Sequence, residues 1–153
     1  MKKKDGGLRP IAVGCTLRRI ISKAICIAIR ERAATALAPF QLGVGVPDGS
    51  VTAAHADRRF LGSAPAGSGI LKLDFRNAFN VLDRTTMLTR CTEIFPELIA
   101  YLAASYGAPS HLFFGSFKLK SACGIQQGDP LGPIVFSMAM RPATSNPHCE
   151  FSV

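Results

Sequence analysis

The spacing of apolar residues predicts helices along most of the chain. After Thr16, which can cap a helix, apolar residues recur every three or four positions until about Ala38, where Pro39 ends the pattern. Shorter helices are predicted over residues 50–61, 84–94, 96–106 and 130–140. The apolar stripe of the long helix is predicted to comprise Leu17, Ile20, Ile21, Ala24, Ile25 and Ala28.

Three short segments have the patterns of strands. Residues 9–13 follow a basic loop rich in lysine and glycine. Leu71 and Leu73 alternate with polar positions in a run that ends at Asp74, so a strand is predicted with this carboxylate at its carboxyl end. Residues 112–119 predict a β-hairpin that turns at Gly115-Ser116.

Composition narrows the class of protein. The 153 residues are enough for one domain with a core, and 48% of them are hydrophobic while 18% are charged. The net charge of +8 suits a polyanionic partner. A chain that is both basic and this apolar is interpreted as part of a larger nucleic-acid enzyme, whose other segments cover its exposed apolar surface.

The cysteines and the absence of long apolar runs indicate the cellular compartment of the protein. The five cysteines are odd in number and form no CxxC pair, so reduced thiols are favoured over a disulfide framework. The basic start is followed by Asp5 rather than by the apolar region of a signal peptide. No apolar run approaches ~18 residues, so no membrane span is expected. An intracellular location is predicted, with cytoplasm and nucleus both open.

Three blocks carry a resemblance to a known family. They are Leu-Arg-Pro-Ile-Ala-Val at residues 8–13, Leu-Lys-Leu-Asp-Phe-Arg-Asn-Ala-Phe-Asn at 71–80, and Gly-Ile-Gln-Gln-Gly-Asp-Pro-Leu-Gly-Pro at 124–133. Their order and intervals resemble the reverse transcriptase of non-LTR retrotransposons. Shorter matches at residues 41–46 and 106–110 fall between them in family order. The resemblance therefore extends over about residues 3–140.

The resemblance implies an α/β (α+β) fold made of the fingers and the front half of the palm, with a small antiparallel sheet and packed helices. We expect this partial reverse transcriptase domain at residues 1–140 and a divergent, disordered tail, of frameshift or splice origin, at 141–153. The family's next block, an aromatic residue before two adjacent aspartates, is absent, and no aspartate follows Asp129. We expect the thumb to be missing as well.

The family joins nucleotides by attack of a 3′ hydroxyl on the α-phosphorus, with two divalent ions held by carboxylates. By resemblance, Asp74 is the catalytic carboxylate and a metal ligand, and the carbonyl oxygen of Phe75 is a second ligand. Such hard oxygen ligands suit Mg²⁺. The structural alternative for Asp74 is an aspartate that caps the turn after a strand.

The resemblance also assigns residues to the substrates. Arg9 is expected to contact the incoming triphosphate, because guanidinium groups bind phosphate with two hydrogen bonds. Phe79 is expected to pack under the sugar and exclude a 2′ hydroxyl, the alternative being a core phenylalanine. Gln127 and Gly128 are expected to shape the nucleotide and template pocket.

Three further polar residues have competing interpretations. Asp129 is predicted to cap the following helix and not to bind metal. Arg18 and Arg19 are predicted to contact the template backbone, with a solvated helix face given equal weight.

The predicted function is that of an RNA-directed DNA polymerase domain fragment that acts on an RNA template, a DNA primer and deoxynucleotides. The isolated chain is expected to be inactive because the aspartate pair and the thumb are missing, unless a partner chain supplies the rest of the palm. The alternatives are a non-catalytic nucleic-acid-binding remnant and a transposon relic without function.

Overall fold

The computed structural model describes residues 13–145. Helices predominate, and the described strands form one two-stranded antiparallel sheet, which confirms the predicted fold class. In chain order the elements are α1 (Thr16–Leu37), α2 (Gly49–Ser63), α3 (Ala78–Val81), α4 (Arg84–Ile94), a 3-10 helix (Pro96–Leu98), α5 (Ile99–Tyr106), β1 (Ser110–Phe114), β2 (Phe117–Ser121) and α6 (Gly132–Ser145).

The hydrophobic core lies where α4 and α6 pack against each other, with α1, α5 and the 3-10 helix around them. The side chains of Phe95, Met87 and Leu102 are almost completely excluded from solvent, and so are those of Leu131 and Met138. Burying a side chain of this size stabilises the folded state by about 1.5–3 kcal/mol. This core fixes α6, the helix that follows the loop at residues 124–131.

Helix α1 has the predicted length but turns a different face to the core. Its buried residues are Ser22, Ile29, Ala33 and Leu37. The predicted stripe is therefore wrong for all its members except Ile25, which is partly buried. Apolar residues occupy so much of this helix that their spacing alone does not select one face. Thr16 does not act as the cap either, because it is the first helical residue and no side chain caps the helix.

The strand predicted to end at Asp74 is not formed. Residues 70–75 have no strand partner within the described part of the chain, and Leu71 and Leu73 are 66% and 51% exposed. A strand requires the backbone hydrogen bonds of a neighbour, and the alternating pattern contains no information about whether one is available. The strand predicted at residues 9–13 falls almost entirely outside the described residues.

The other predicted elements are largely confirmed. Helix α4 has the predicted bounds, and the hairpin pairs Leu112 with Leu119 around the expected turn. Gly115 has φ +58° at the first turn position, where two-residue hairpin loops favour glycine. The segment at 96–106 divides into the 3-10 helix and α5, and α6 continues past the predicted end near residue 140 to Ser145.

Gly124 joins two distant parts of the chain at close range. Its backbone N–H donates to the Leu82 carbonyl oxygen at 2.8 Å, and the next N–H, of Ile125, donates to the Phe79 carbonyl oxygen at 2.7 Å. Gly124 has φ +70°, and a Cβ atom there would collide with the carbonyl oxygens of Phe79 and Asn80. Only glycine fits this crossing without displacement of the backbone.

Replacement of Gly124 by alanine is expected to lower the free energy of unfolding by about 3 kcal/mol or more, because left-handed strain and a backbone collision act together. Gly115→Ala is the matched control, since Gly115 also has positive φ but has nothing within 4 Å of its hypothetical Cβ. It is expected to cost about 1–2 kcal/mol. Urea unfolding measures both variants, and equal losses would contradict the close crossing at Gly124.

Candidate active site

Two of the sequence blocks meet at an open cleft of about 600 Å³. One wall is formed by consecutive residues from Asp74 to Phe79, and the other by Gln127, Asp129, Pro130 and Pro133. These segments are some fifty residues apart in the sequence. Their meeting brings Asp74, Phe79 and Gln127, all predicted as site residues, to one cavity.

The first wall is positioned by a turn and by the core. Asn77 adopts a left-handed conformation, with φ +53°, and the short helix α3 follows it. Within this helix Phe79 stacks on Phe136 of α6, with ring centroids 4.7 Å apart and planes inclined by 11°. Phe79 therefore lines the cleft and also packs against the hydrophobic core, so both interpretations of this residue describe part of its surroundings.

The second wall is held by the buried carboxylate of Asp129. Its Oδ2 accepts hydrogen bonds from the Tyr106 hydroxyl at 2.6 Å and from the Arg18 guanidinium at 3.3 Å. Its Oδ1 accepts from the backbone N–H of Leu131 at 3.0 Å, just before α6 begins. This last bond resembles the predicted helix cap, although it lies one residue outside the helix. Three donors leave Asp129 poorly placed to bind a metal ion.

Arg18 is drawn into the protein rather than lying on a solvated face. Its side chain is 17% exposed, and its guanidinium carbon lies 4.5 Å from the centroid of the Tyr106 ring. Its Nε is buried and has no hydrogen-bond partner among the described residues. Arg19 is exposed on α1. A contact of either arginine with a template stays a prediction.

Tyr106 completes this cluster and was not singled out from the sequence as a partner of Asp129. Burial, followed by the hydrogen bond to Asp129, raises the pKa of the phenol above its ordinary value. The hydroxyl therefore remains a hydrogen-bond donor at neutral pH. Cys26 adds another link from α1, because its thiol donates to the Pro130 carbonyl oxygen at 3.2 Å.

Arg84 is a second structural residue that the sequence analysis missed. Its guanidinium donates to the carbonyl oxygens of Gly124, Ser121 and Cys123 at 3.0, 2.9 and 3.3 Å, and to the Ser121 hydroxyl at 2.8 Å. Burial is the main cause of a lowered pKa for this group. A signal was available, because Arg84 opens a helix, where the dipole disfavours a cation. Such a residue needs a compensating interaction elsewhere.

Some of the remaining predicted site residues line the cleft and others do not. Asp74 and Phe75 line the cleft and are exposed, and no hydrogen bond or ion pair engages the Asp74 side chain within the described residues. Gln127 lines the cleft and is exposed, whereas Gly128 is half-buried and is not part of the lining. Arg9 lies outside the described residues.

The side chains present do not fit a complete two-metal centre. Between residues 13 and 145, no three histidine, cysteine, aspartate or glutamate side chains lie close enough together to hold a metal ion. Among the described residues two carboxylates line the cleft, and the donors around Asp129 leave only that of Asp74 unengaged. Two ions require more negative charge than one free carboxylate supplies. None of the helices in this part of the chain has the length and apolar character needed to cross a membrane.

Comparison with known proteins identifies the family of the chain. A family model described as reverse transcriptase (RNA-dependent DNA polymerase) matches residues 1–150. The chain therefore belongs to the reverse transcriptase family, which confirms the resemblance at that level. Neither the curated proteins nor the solved structures compared with the chain gave a match.

Asp129→Asn is expected to lower the free energy of unfolding by about 2–4 kcal/mol, because it leaves the largely buried Arg18 without its anionic partner. Asp74→Asn, a matched change at an exposed position in the same cleft, is expected to change it by less than about 0.5 kcal/mol. Chemical denaturation of the two variants tests this difference. A similar loss in both, or in neither, would show that the two carboxylates do not have separate roles.

Proposed function

We propose that this chain is an RNA-directed DNA polymerase domain fragment of the non-LTR retrotransposon type, and that its nucleotide site is the cleft between residues 74–79 and 127–133. The observation that supports this most is the convergence of the two blocks on one cavity. The Gln-Gly-Asp-Pro motif alone would be weak. The meeting of the two blocks at a cavity of about 600 Å³, within the usual range for small-molecule sites, makes a shared substrate the simplest interpretation.

The reaction proposed for the family fold is attack of a primer 3′ hydroxyl on the α-phosphorus of a deoxynucleotide, with formation of a new P–O bond and release of pyrophosphate. In this cleft Asp74 has an unengaged carboxylate, and the carbonyl oxygen of Phe75 belongs to the same wall. These oxygens are of the type that Mg²⁺ prefers. They would form part of a metal site but not all of one.

Phe79 and Gln127 are proposed to act on the nucleotide. Because Phe79 is stacked on Phe136 of the core, its ring is a rigid part of the wall, and rigidity is what steric exclusion of a 2′ hydroxyl requires. The exposed amide of Gln127 offers a donor and an acceptor from the opposite wall. Arg9 and Gly128 are proposed to help hold the triphosphate and shape the pocket, respectively.

We further propose that the isolated chain does not polymerise. Catalytic groups that act as a unit lose several orders of magnitude in rate when members are missing. The alternatives, a nucleic-acid-binding remnant and a relic without function, share this expectation. The binding remnant is favoured by the charge of +8 and by the exposed position of Arg19. A partner chain that completes the palm would instead restore activity.

Primer extension on an RNA template, with deoxynucleotides and Mg²⁺, tests this proposal. No extension is expected from folded chain, either with Asp74 in place or after Asp74→Ala. Extension that depends on Asp74 would contradict the proposed inactivity and would mean that other groups replace the missing carboxylates.

Nucleotide binding tests the cleft separately from turnover. A deoxynucleotide labelled on its base is expected to bind more tightly than the ribonucleotide with the same label. Phe79→Ala is expected to remove this preference. Phe136→Ala is expected to reduce the preference without removing it, because the Phe79 ring stays in the wall but loses the stack that holds it rigid. Equal binding of both nucleotides to the unmodified chain would argue against a nucleotide site of this kind.

A further inference from the structure

The β1–β2 hairpin presents two chemically different faces. Directly paired residues of an antiparallel ladder share a face, and faces alternate along each strand. The pairs Leu112–Leu119 and Phe114–Phe117 therefore form one face, which is apolar. The pairs His111–Lys120 and Phe113–Lys118 form the other, named here the basic face.

The basic face combines an aromatic ring with positive charge and is open to solvent. Phe113 is 76% exposed, and His111, Lys118 and Lys120 are exposed around it. The hairpin sequence Ser-His-Leu-Phe-Phe-Gly-Ser-Phe-Lys-Leu-Lys-Ser contains no acidic residue. The positive charge of this face is therefore not neutralised within the hairpin.

The hairpin is anchored at its base. Arg84 donates to both the carbonyl oxygen and the hydroxyl of Ser121, the last residue of β2, and to the carbonyl oxygen of Cys123 beyond it. These partly buried hydrogen bonds attach the base of the hairpin to the start of α4. The hairpin that carries Phe113 is thus attached to the rest of the protein at its base.

We propose that the basic face binds single-stranded nucleic acid, with a base stacked on Phe113 and backbone phosphates bound by Lys118 and Lys120. An exposed aromatic ring beside cations is the arrangement that recognises unpaired strands, because every base has a π-face. The two lysines are roughly 7 Å apart along β2, so both can contact one strand. A duplex keeps its bases stacked inside and offers no free base to this ring.

This site goes beyond the proposed polymerase function. None of its residues lines the cleft, and binding at the hairpin requires neither nucleotide nor catalysis. The apolar face lacks charge, so it has no feature that would select a polyanion. We therefore expect the basic face, and not the apolar face, to bind a polyanionic ligand.

Phe113 and Phe114 form a matched pair for the test, because each is 76% exposed and they lie on opposite faces. Fluorescence anisotropy with labelled oligo-U and oligo-dT measures binding to the full chain. Phe113→Ala is expected to raise Kd about 5-fold or more, as expected for loss of one stacked base. Phe114→Ala is expected to change it less than about 2-fold, and neither should alter the thermal unfolding midpoint.

The salt dependence of binding tests the role of Lys118 and Lys120. Replacement of both Lys118 and Lys120 by glutamine is expected to reduce the slope of log Kd against log salt by about 1.4, which corresponds to two phosphates on a single strand. The control replaces Arg58 and Arg59 of α2 by glutamine and removes the same charge at exposed positions off the hairpin. It should leave the slope unchanged.

Several results would contradict the proposed binding site. They are an absence of oligonucleotide binding, equal weakening by Phe113→Ala and Phe114→Ala, or no weakening by Phe113→Ala. Duplex RNA of the same length that competes as well as the single strand would exclude stacking as the mode of binding. A larger effect of Phe114→Ala would assign the interaction to the apolar face instead.

Discussion

The structure around the cleft depends on one buried carboxylate. Removal of Asp129 from water is costly unless its charge is compensated, and three donors from different parts of the chain compensate it. Arg18 comes from α1, Tyr106 from the end of α5, and the Leu131 N–H from the loop itself. Because all must converge for the charge to be tolerated, the carboxylate fixes the position of one wall of the cleft.

A buried cation fixes the other end of the same loop. Arg84 binds the carbonyl oxygens of residues 121, 123 and 124, so the chain between β2 and α6 is held at its start by a guanidinium and at its end by a carboxylate. Between these anchors Gln127 is exposed in the cleft. Both anchors contact Tyr106, because the Arg84 guanidinium lies 5.3 Å from the ring centroid and Asp129 accepts a hydrogen bond from the hydroxyl at 2.6 Å. The scaffold is therefore polar and buried, whereas the Asp74 carboxylate is exposed and unengaged among the described residues.

Sequence reasoning was most reliable where the signal is local. The bounds of α4 are confirmed, and so is the hairpin turn that was predicted from Gly115-Ser116. The face of α1 was predicted wrongly because burial of Ser22 depends on a hydrogen bond with the Tyr101 hydroxyl, at 2.5 Å, from a distant helix. The prediction of a strand before Asp74 was wrong for a similar reason, since strand pairing depends on a neighbour that the local pattern does not specify.

The candidate site was partly predictable from the sequence. Family motifs identified Asp74, Phe79 and Gln127, and the structure brings them to one cleft. Motifs did not identify Arg84 or the role of Tyr106, because buried polar networks are defined by long-range geometry rather than by spacing. Arg18 was predicted to contact the template backbone or to lie on a solvated helix face, and neither prediction included an ion pair within the protein. Its partner is 111 positions away in the sequence.

A double-mutant cycle between Arg18 and Asp129 tests the central claim most directly. The free energies of unfolding of the parent, Arg18→Met, Asp129→Asn and the double variant give the coupling between the two side chains. We expect a coupling of about 1–3 kcal/mol, with the double variant more stable than the sum of the single losses implies. Additive losses within about 0.3 kcal/mol would mean that the ion pair does not hold the loop in place.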